Sequence, residues 1–514
     1  MTDVLVAVAL AAALVVASLR WLRVGQREHY VPGRVLVIAR TWFSRSALDT
    51  ALLAVAALLV VAAVVVAPVA GRGLAAALLG LAGAVLAALL PRGLGVRGRT
   101  SRLAWTGRLR RLAAALAVCA VALGALLWWL AGVGAVAALV VGAPLLVDLA
   151  LAVTDPVEKR LSRPFVARAQ QRLARVRPTV VAVTGSYGKT STKGYIAHVL
   201  AASRSVVASP ASFNNRLGLS RAVNDHLVDG TEVFVAEMGT FGPGEIRELC
   251  ALFPPDVAVI TTIGEAHLER MGSREAIAAA KGEITERARV VVLPVDDPLL
   301  AALAERCRAD GKRVVTVTTA GAAGTDVAVD AAARKARVGG VVLPLPDAVP
   351  HPVNLGVALG VALALDVDPA PLAPRLRGLP RAAHRAEVHA GPGVAVVDDT
   401  YNANPVGARA ALAEAAALAA ERDAPLVVVT PGIVELGPVQ HERNADFARA
   451  VVEAGARLVV VGRTNRAALL AGAREAGGEP VVVDTREQAV PLATAAAGER
   501  GVVLYENDLP DHYP

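Results

Sequence analysis

Nine consecutive residues, Thr184-Gly185-Ser186-Tyr187-Gly188-Lys189-Thr190-Ser191-Thr192, have the composition of a loop that grips phosphate. Glycines let backbone N–H groups turn toward an anion, and the positive end of a following helix adds to the attraction. Lys189 is placed to neutralise the outer phosphates of a nucleoside triphosphate, and the Thr190 hydroxyl to bind its Mg²⁺. The spacing is Gly-x-x-Gly-Lys-Thr, with Val183 where the longer form of the motif has its first glycine. The flanks give the required context. Thr179–Val183 is a β-branched run that predicts a buried strand, and a helix is expected through about Leu200.

Further positions with chemical potential lie downstream. Glu237 follows the strand-like run Glu232–Ala236, where a carboxylate is well placed for a metal, although an isolated glutamate is more often a surface residue. His267 follows a third run, Val257–Ile260, and a lone histidine there is more often structural than a ligand. Lys281 falls in a helix expected from Glu275 to Glu286. Of the 53 basic residues only six are lysines, so a retained lysine calls for a reason. A neutral lysine amine can take up CO₂ to become a carboxylate-like ligand, and nearby Mg²⁺ disfavours its ammonium form. An ordinary solvated lysine is the plain alternative.

The C-terminal part adds Asp398-Asp399-Thr400-Tyr401-Asn402-Ala403-Asn404-Pro405, which closes a strand at Val394–Val397 and precedes a helix-forming stretch, Gly407–Ala420. His384-Arg385-Ala386-Glu387 lies upstream. Gly432-Ile433-Val434-Glu435-Leu436-Gly437 follows the run Leu426–Val429, at the strand end where open α/β sheets bind ligands. It lacks a dinucleotide fingerprint, which argues against a nicotinamide enzyme. With Leu458–Val461, Val481–Val483 and Val502–Leu504, strands alternate with helices, and the pattern predicts a parallel, doubly wound sheet.

Ahead of these α/β elements, five apolar runs occupy about Val4–Leu19, Leu48–Ala67, Leu74–Leu90, Leu112–Leu130 and Val133–Val153. Each is near the roughly 17–25 residues a membrane-crossing helix needs. A cleaved signal peptide fits the first run poorly, because its positive charges follow the apolar stretch. Arginines crowd the loops after runs one and three, whereas the alternate loops carry only Arg72. That bias places the N-terminus outside and the chain after run five in the cytoplasm. Asp155–Pro178 follows, with Leu161, Phe165, Ala169 and Leu173 on one helix face among seven basic residues. Two readings of this helix remain open: one lying on the anionic inner leaflet, and one packed on the next domain.

The expected organisation is therefore a helical membrane region at 1–153, a basic amphipathic linker helix at 154–178, a central nucleotide-binding α/β domain at 179–380 and a C-terminal α/β domain at 381–514. The net charge of +8 is explained by basic residues beside apolar runs, without the interleaved aromatics of a nucleic-acid surface. Cys119, Cys250 and Cys307 are far apart and carry neither a disulfide framework nor a zinc-site spacing.

In this order and spacing the motifs resemble those of the Mur ligase family, and within it the MurF-type branch that adds D-alanyl-D-alanine, over about Thr179–Pro514. The resemblance implies a phosphate-loop central domain and a Rossmann-like C-terminal domain. It implies that Thr184–Ser191 binds ATP, that Asn214 and Asn215 in Ser212–Gly218 contact substrate, and that Thr190, Glu237 and His267 hold Mg²⁺, two ions in all. It puts a carbamylated lysine at Lys281. It also brings Asn354 to the adenine, with His351 one residue closer than usual, and Arg385, Asp399 and Asn402 to the nucleotide from the C-terminal domain. The implied reaction is ATP-dependent: a carboxylate becomes an acyl phosphate, which an amine converts to an amide. Lys189, His267, Lys281, Arg385 and Asp399 are the implied catalytic set. The implied partners are a peptidoglycan-precursor peptide and an amino acid or dipeptide, at the plasma membrane with the catalytic domains cytoplasmic.

One departure stands out. Soluble members of this branch begin with a domain that binds the UDP-sugar end of the substrate, and here the apolar runs and basic helix take its place. A lipid-linked acceptor, or one presented at the inner leaflet, is the corresponding expectation. A polymer-forming amide ligase of the poly-γ-glutamate synthase type is a rival, opposed by the full C-terminal motif at Asp398–Pro405. An ATP-driven transporter is another, opposed by the lack of a Leu-Ser-Gly-Gly signature and of charge inside the apolar runs apart from Asp148 and, at the start of the second run, Asp49. A binding protein without catalysis is opposed by Lys189, Glu237, His267, Lys281 and Asp399 occurring together.

Overall fold

The structure, a computed structural model, describes residues 2–69, 74–98, 102–347, 349, 351–380, 387–389, 393–400 and 403–514. It forms two compact units: Met1–Leu161 with Gly462–Arg466 and Asp508–Pro514, and Ser162–Val461 with Ala467–Asn507.

In the first unit, three helices are long and apolar enough to cross a membrane, Asp3–Arg27, Ala47–Ala67 and Gly107–Ala131. This corrects the expectation of five. The run at Leu74–Leu90 forms a helix only over Leu74–Ala88, 15 residues, and at a rise of 1.5 Å per residue it reaches about 22 Å, short of the hydrocarbon thickness. The run at Val133–Val153 is interrupted at Gly142, and its two parts are bent by 76°, so it counts as a fourth span only if the bent pair is taken together. Leu10, Trp21, Trp42, Leu112 and Val147 are among the side chains packed in the core of this unit. Asp148 lies within it too. Its carboxylate accepts from the backbone N–H groups of Gly33 and Leu36, both at 2.9 Å, satisfying the start of helix Arg34–Ser44. The C-terminal tail belongs to this unit. Fully buried Arg23 pairs with Asp511 at 2.6 Å, and the Trp42 indole donates to the His512 carbonyl at 2.8 Å.

The second unit holds two sheets. In the first, β1 (Thr179–Thr184), β2 (Val206–Ala208), β3 (Val233–Glu237), β4 (Val257–Ile260), β5 (Val290–Pro294), β6 (Arg313–Thr318), β7 (Val327–Asp330), β8 (Lys335–Val338) and β9 (Val341–Pro344) stand in the order β2-β3-β1-β4-β5-β6-β7-β8-β9. Pairing is parallel as far as β7 and antiparallel beyond it. Valines dominate β1, β3, β4 and β5, which are buried along almost their whole length because both faces are covered, whereas β8 alternates buried and exposed positions. In the second sheet, β10 (Glu387–His389), β11 (Ala395–Asp399), β12 (Leu426–Thr430), β13 (Arg457–Val461), β14 (Val481–Val483) and β15 (Val502–Glu506) stand in the order β10-β11-β15-β12-β13-β14. The sheet expected to be parallel is mixed, because the edge strand β10 runs antiparallel to β11.

Helix Arg163–Val176 resolves one open reading. Its apolar face, including Ala169 and Leu173, is buried in the core that also holds Leu219 and Val223 of helix Arg216–His226. Arg172 donates to the carbonyls of Leu227 and Asn224 at 2.6 and 2.9 Å. Ala169 and Leu173 of the expected face are thus covered by protein, while Leu161 and Phe165 of the same face are exposed; the helix from Ser162 onward is part of the second unit.

Candidate active site

Strand order sets the site. β1 lies between β3 and β4, with Val183 opposite Glu237 and Thr184 opposite Ile260. The carboxyl ends of three parallel strands therefore release the phosphate loop, Glu237 and the Thr261–His267 segment at one sheet edge. Helix Lys189–Leu200 starts directly after Gly188, which has a φ of +77°. A Cβ on Gly188 would lie 2.5 Å from Asn354 Oδ1, so glycine is required both for the backbone and for the approach of Asn354. Lys189 folds back over its own loop, its Nζ donating to the Gly185 carbonyl at 2.7 Å and the Ser186 carbonyl at 3.3 Å. The Thr184 hydroxyl is buried with no hydrogen-bond partner among the described residues.

Glu237 is the hub of a polar cluster and is 1 % exposed. The Thr190 hydroxyl donates to its Oε2 at 3.1 Å, and Lys193 Nζ to the same oxygen at 2.9 Å. The Asn214 amide donates to Oε1 at 3.2 Å. A hydroxyl and a carboxylate in contact form a hard oxygen set of the kind Mg²⁺ takes, and Lys193 is the cation seated on it here. Lys193 was missed in the sequence, although the lysine scarcity that singles out Lys281 applies equally to it. Asn215 is turned elsewhere: its Oδ1 accepts from Gly218 N at 2.9 Å and caps helix Arg216–His226.

Lys281 lies in helix Arg274–Gly282 and is 1 % exposed. Burial, with Lys189 adding to it, holds its amine well below the ordinary lysine value. Both effects disfavour its ammonium form. Burial also lowers the His267 imidazole, Lys281 and Lys189 adding to this and Glu435 opposing it. His267 Nδ1 lies 2.8 Å from Glu435 Oε2, and Arg270 Nη2 lies 2.6 Å from Glu435 Oε1. Burial pushes the Glu435 carboxyl up, but the His267 hydrogen bond and the Arg270 charge prevail and bring it to about 2. A second bridge runs the other way: Arg443 grips Glu265 with contacts of 2.8 to 3.1 Å, and this raises the Arg443 pKa. Glu435 and these bridges were also missed. The glycine-bounded segment Gly432–Gly437 drew notice as a strand end only.

A cleft of about 1250 Å³ runs along this edge. Tyr187, Gly188, Ser191 and Asn354 line it from the middle domain, and Asp399 and Asn404 from the C-terminal domain. Asp399 ends β11, pairs with Glu506 of β15 and is 7 % exposed. The volume exceeds that of ordinary small-ligand pockets and has room for a nucleotide. Arg385 and Asn402 lie outside the described residues.

Comparison with known proteins agrees with this geometry. Residues 183–345 match the Mur ligase middle domain, and residues 384–505 the Mur ligase glutamate ligase domain. A UDP-N-acetylmuramoyl-tripeptide–D-alanyl-D-alanine ligase of Mycobacterium tuberculosis is 36% identical over 303 residues, 55% of this chain and 58% of that protein. The Bacillus subtilis protein of the same name is 35% identical over 240 residues, 45% of this chain and 52% of its own length. The chain thus spans a little over half the length of these curated relatives. Among solved structures, a MurF from Acinetobacter baumannii superposes with a TM-score of 0.56 at 26% identity, covering 67% of this chain and 77% of that one. A MurF from Thermotoga maritima in complex with ADP gives 0.55 at 25% identity, covering 67% and 79%.

Proposed function

From the premise that the chain belongs, through its middle and C-terminal domains, to the Mur ligase family, we propose that it is a MurF-type ligase. It joins a D-alanyl-D-alanine-type amine to a carboxylate of a peptidoglycan precursor, with ATP converted to ADP and phosphate. The observation that carries this reading is the single sheet edge at which the phosphate loop, the Glu237 cluster and the His267 segment emerge, beside a cleft closed on its other side by Asp399.

In the first step an acceptor carboxylate oxygen attacks the γ-phosphorus, the bond to the β-phosphate oxygen breaks, and ADP leaves. In the second the amine nitrogen attacks the acyl carbon, the bond to the phosphate oxygen breaks, and the amine gives up a proton. The protein's task is positioning and charge balance. The loop amides and Lys189 hold the outer phosphates, Asn354 borders the loop at Gly188, and Asp399 meets the nucleotide from the C-terminal domain together with Arg385 and Asn402. Thr190 and Glu237 would hold one Mg²⁺, and His267 with carbamylated Lys281 a second. Bound Mg²⁺ offsets the repulsion between a carboxylate and a polyphosphate.

The helical unit is the membrane anchor, with the N-terminus outside and the ligase domains in the cytoplasm. Val118, Val121 and Trp129 on helix Gly107–Ala131 are 69, 72 and 72 % exposed, an apolar surface suited to lipid. The acceptor is accordingly presented at the membrane.

The test uses the full chain in detergent with ATP, D-alanyl-D-alanine, and soluble or lipid-linked muramoyl peptides. ADP release that depends on both co-substrates is expected, and Lys189→Ala should abolish it; normal turnover by that variant would sink the phosphate-loop assignment. Lys281→Ala should lose activity and regain part of it with added small carboxylates. An unaffected Lys281→Ala enzyme would rule out the carbamate.

A further inference from the structure

Glu435 sits on the loop after β12, in the C-terminal domain, yet both of its carboxylate oxygens are used by the middle domain. Oε2 takes the His267 Nδ1 contact at 2.8 Å and Oε1 the Arg270 contact at 2.6 Å. Both His267 and Glu435 adopt the left-handed backbone region, with φ of +65° and +64°. Non-glycine residues are uncommon there, and the conformation persists only where the surroundings fix it. The two backbones also meet closely. Gly437, at φ +56°, has no room for a Cβ, which would lie 2.9 Å from Glu269 Cα. Phe241 closes the cluster, its ring edge-on to His267 with centroids 5.4 Å apart and beneath the Arg270 guanidinium at 4.6 Å. His267 is thus braced by Phe241 from its own domain, while its Nδ1 is held from the other.

A histidine whose Nδ1–H donates to a carboxylate has its tautomer and ring orientation set, and its Nε2 is left as the metal-binding nitrogen. We propose that Glu435 is a positioning residue that presents His267 Nε2 to the metal, so that seating of the C-terminal domain and completion of the metal site are one event. The inference rests on the ligase reading for the presence of a metal at His267. It adds a residue of the C-terminal domain to the control of that site and gives the Gly432–Gly437 segment a function.

The experiment compares Glu435→Met, which keeps the shape and removes the acceptor, with Glu435→Gln, which keeps an acceptor for Nδ1–H and removes the charge. Mn²⁺ binding to the full-length protein in detergent is followed by electron paramagnetic resonance with ADP and no acceptor substrate, alongside the Mg²⁺ dependence of ligation. Loss of an outer partner of a metal ligand weakens binding about 10- to 100-fold, and that loss is expected for Glu435→Met, with half-saturating Mg²⁺ raised to match. Glu435→Gln should stay within about threefold of the native protein in Mn²⁺ affinity, because ring orientation survives the loss of charge. Native affinity in Glu435→Met overturns the proposal. So does equal damage in both variants, which would make the Arg270 ion pair, and not the histidine, the target of Glu435. If Glu435→Met is too unstable to purify, Glu435→Gln alone decides by the same limit. A native protein that binds Mn²⁺ but consumes no ATP would remove the ligase reading instead and leave the variant comparison interpretable.

Discussion

Two glutamates end parallel strands in the two sheets of the ligase unit, and both are fully buried, yet their surroundings differ. Glu237 at the end of β3 has both oxygens occupied by Thr190, Lys193 and Asn214. Glu506 at the end of β15 receives the Thr430 hydroxyl on Oε2 at 2.8 Å, and its Oε1 has no hydrogen-bond partner among the described residues. Burial pushes the Glu506 carboxyl up to about 8; Thr430 opposes this and the neighbouring Asp399 adds to it. In the first sheet an ammonium and two donors surround the carboxyl group, whereas in the second a carboxylate stands alongside and burial favours the neutral acid. The same strand position thus serves as a cation seat in one domain and as a neutral neighbour of the cleft-lining Asp399 in the other.

Lys193→Met breaks the comparison on the side with the larger effect. Removing one partner of a buried ion pair costs about 3–5 kcal/mol, because the other charge is stranded. The Lys193 and Glu237 side chains are 6 and 2 % exposed, so little solvent screening is available. Chemical denaturation of the full chain in detergent should show a loss of this size, and Lys193→Met/Glu237→Leu should recover part of it while losing ligation. An unchanged midpoint in Lys193→Met would mean that Thr190 and Asn214 alone sustain Glu237, and the contrast with Glu506 would lapse.

Glu506→Gln sharpens the other side through pH. The ordinary glutamate value is 4.5, and the folded one is raised to about 8. Below pH 4.5 the group is protonated in both states and has no effect. Between 4.5 and 8 the unfolded chain ionises while the folded one does not, so stability falls with rising pH, and above 8 the loss is complete. Glu506→Gln should therefore match the native protein at pH 4.5 and exceed it increasingly up to pH 8, by a ceiling on the order of 4 kcal/mol. A difference that stays constant across this window would show that Glu506 ionises in the folded protein.

The reading of the sequence was strongest where short-range pattern decides geometry. The β-branched run before Gly185 became β1, and the helix after Gly188 ends at Leu200 as expected. It was weaker where the outcome depends on what a face packs against. Helix Arg163–Val176 has the same amphipathic pattern whether its partner is lipid or helix Arg216–His226. Five runs of similar apolarity gave three clear spans, because Gly142 and the short Leu74–Ala88 helix change path and length without changing composition. Glu435 was illegible for a different reason: its partners, His267 and Arg270, are more than 160 residues away, and no local pattern encodes an encounter between two domains.

The smallest expected effect tests how far a motif may be read as chemistry. Asn215 and Asn404 both come from segments that resemble substrate- or nucleotide-binding motifs, and both side chains cap helices, accepting from Gly218 N and Gly407 N at 2.9 Å. Losing such a cap costs about 1 kcal/mol, and serine replaces asparagine there with little loss. Asn215→Ala should therefore lower stability by about that amount, and Asn215→Ser should restore it. Asn404 also borders the cleft, so Asn404→Ser should keep the stability but raise the KM for ATP. If Asn215→Ser were as stable as the native chain yet failed to ligate, Asn215 would touch substrate as well as cap its helix. The contrast would then lie between two caps that both serve the site, instead of between one that serves the fold and one that serves both.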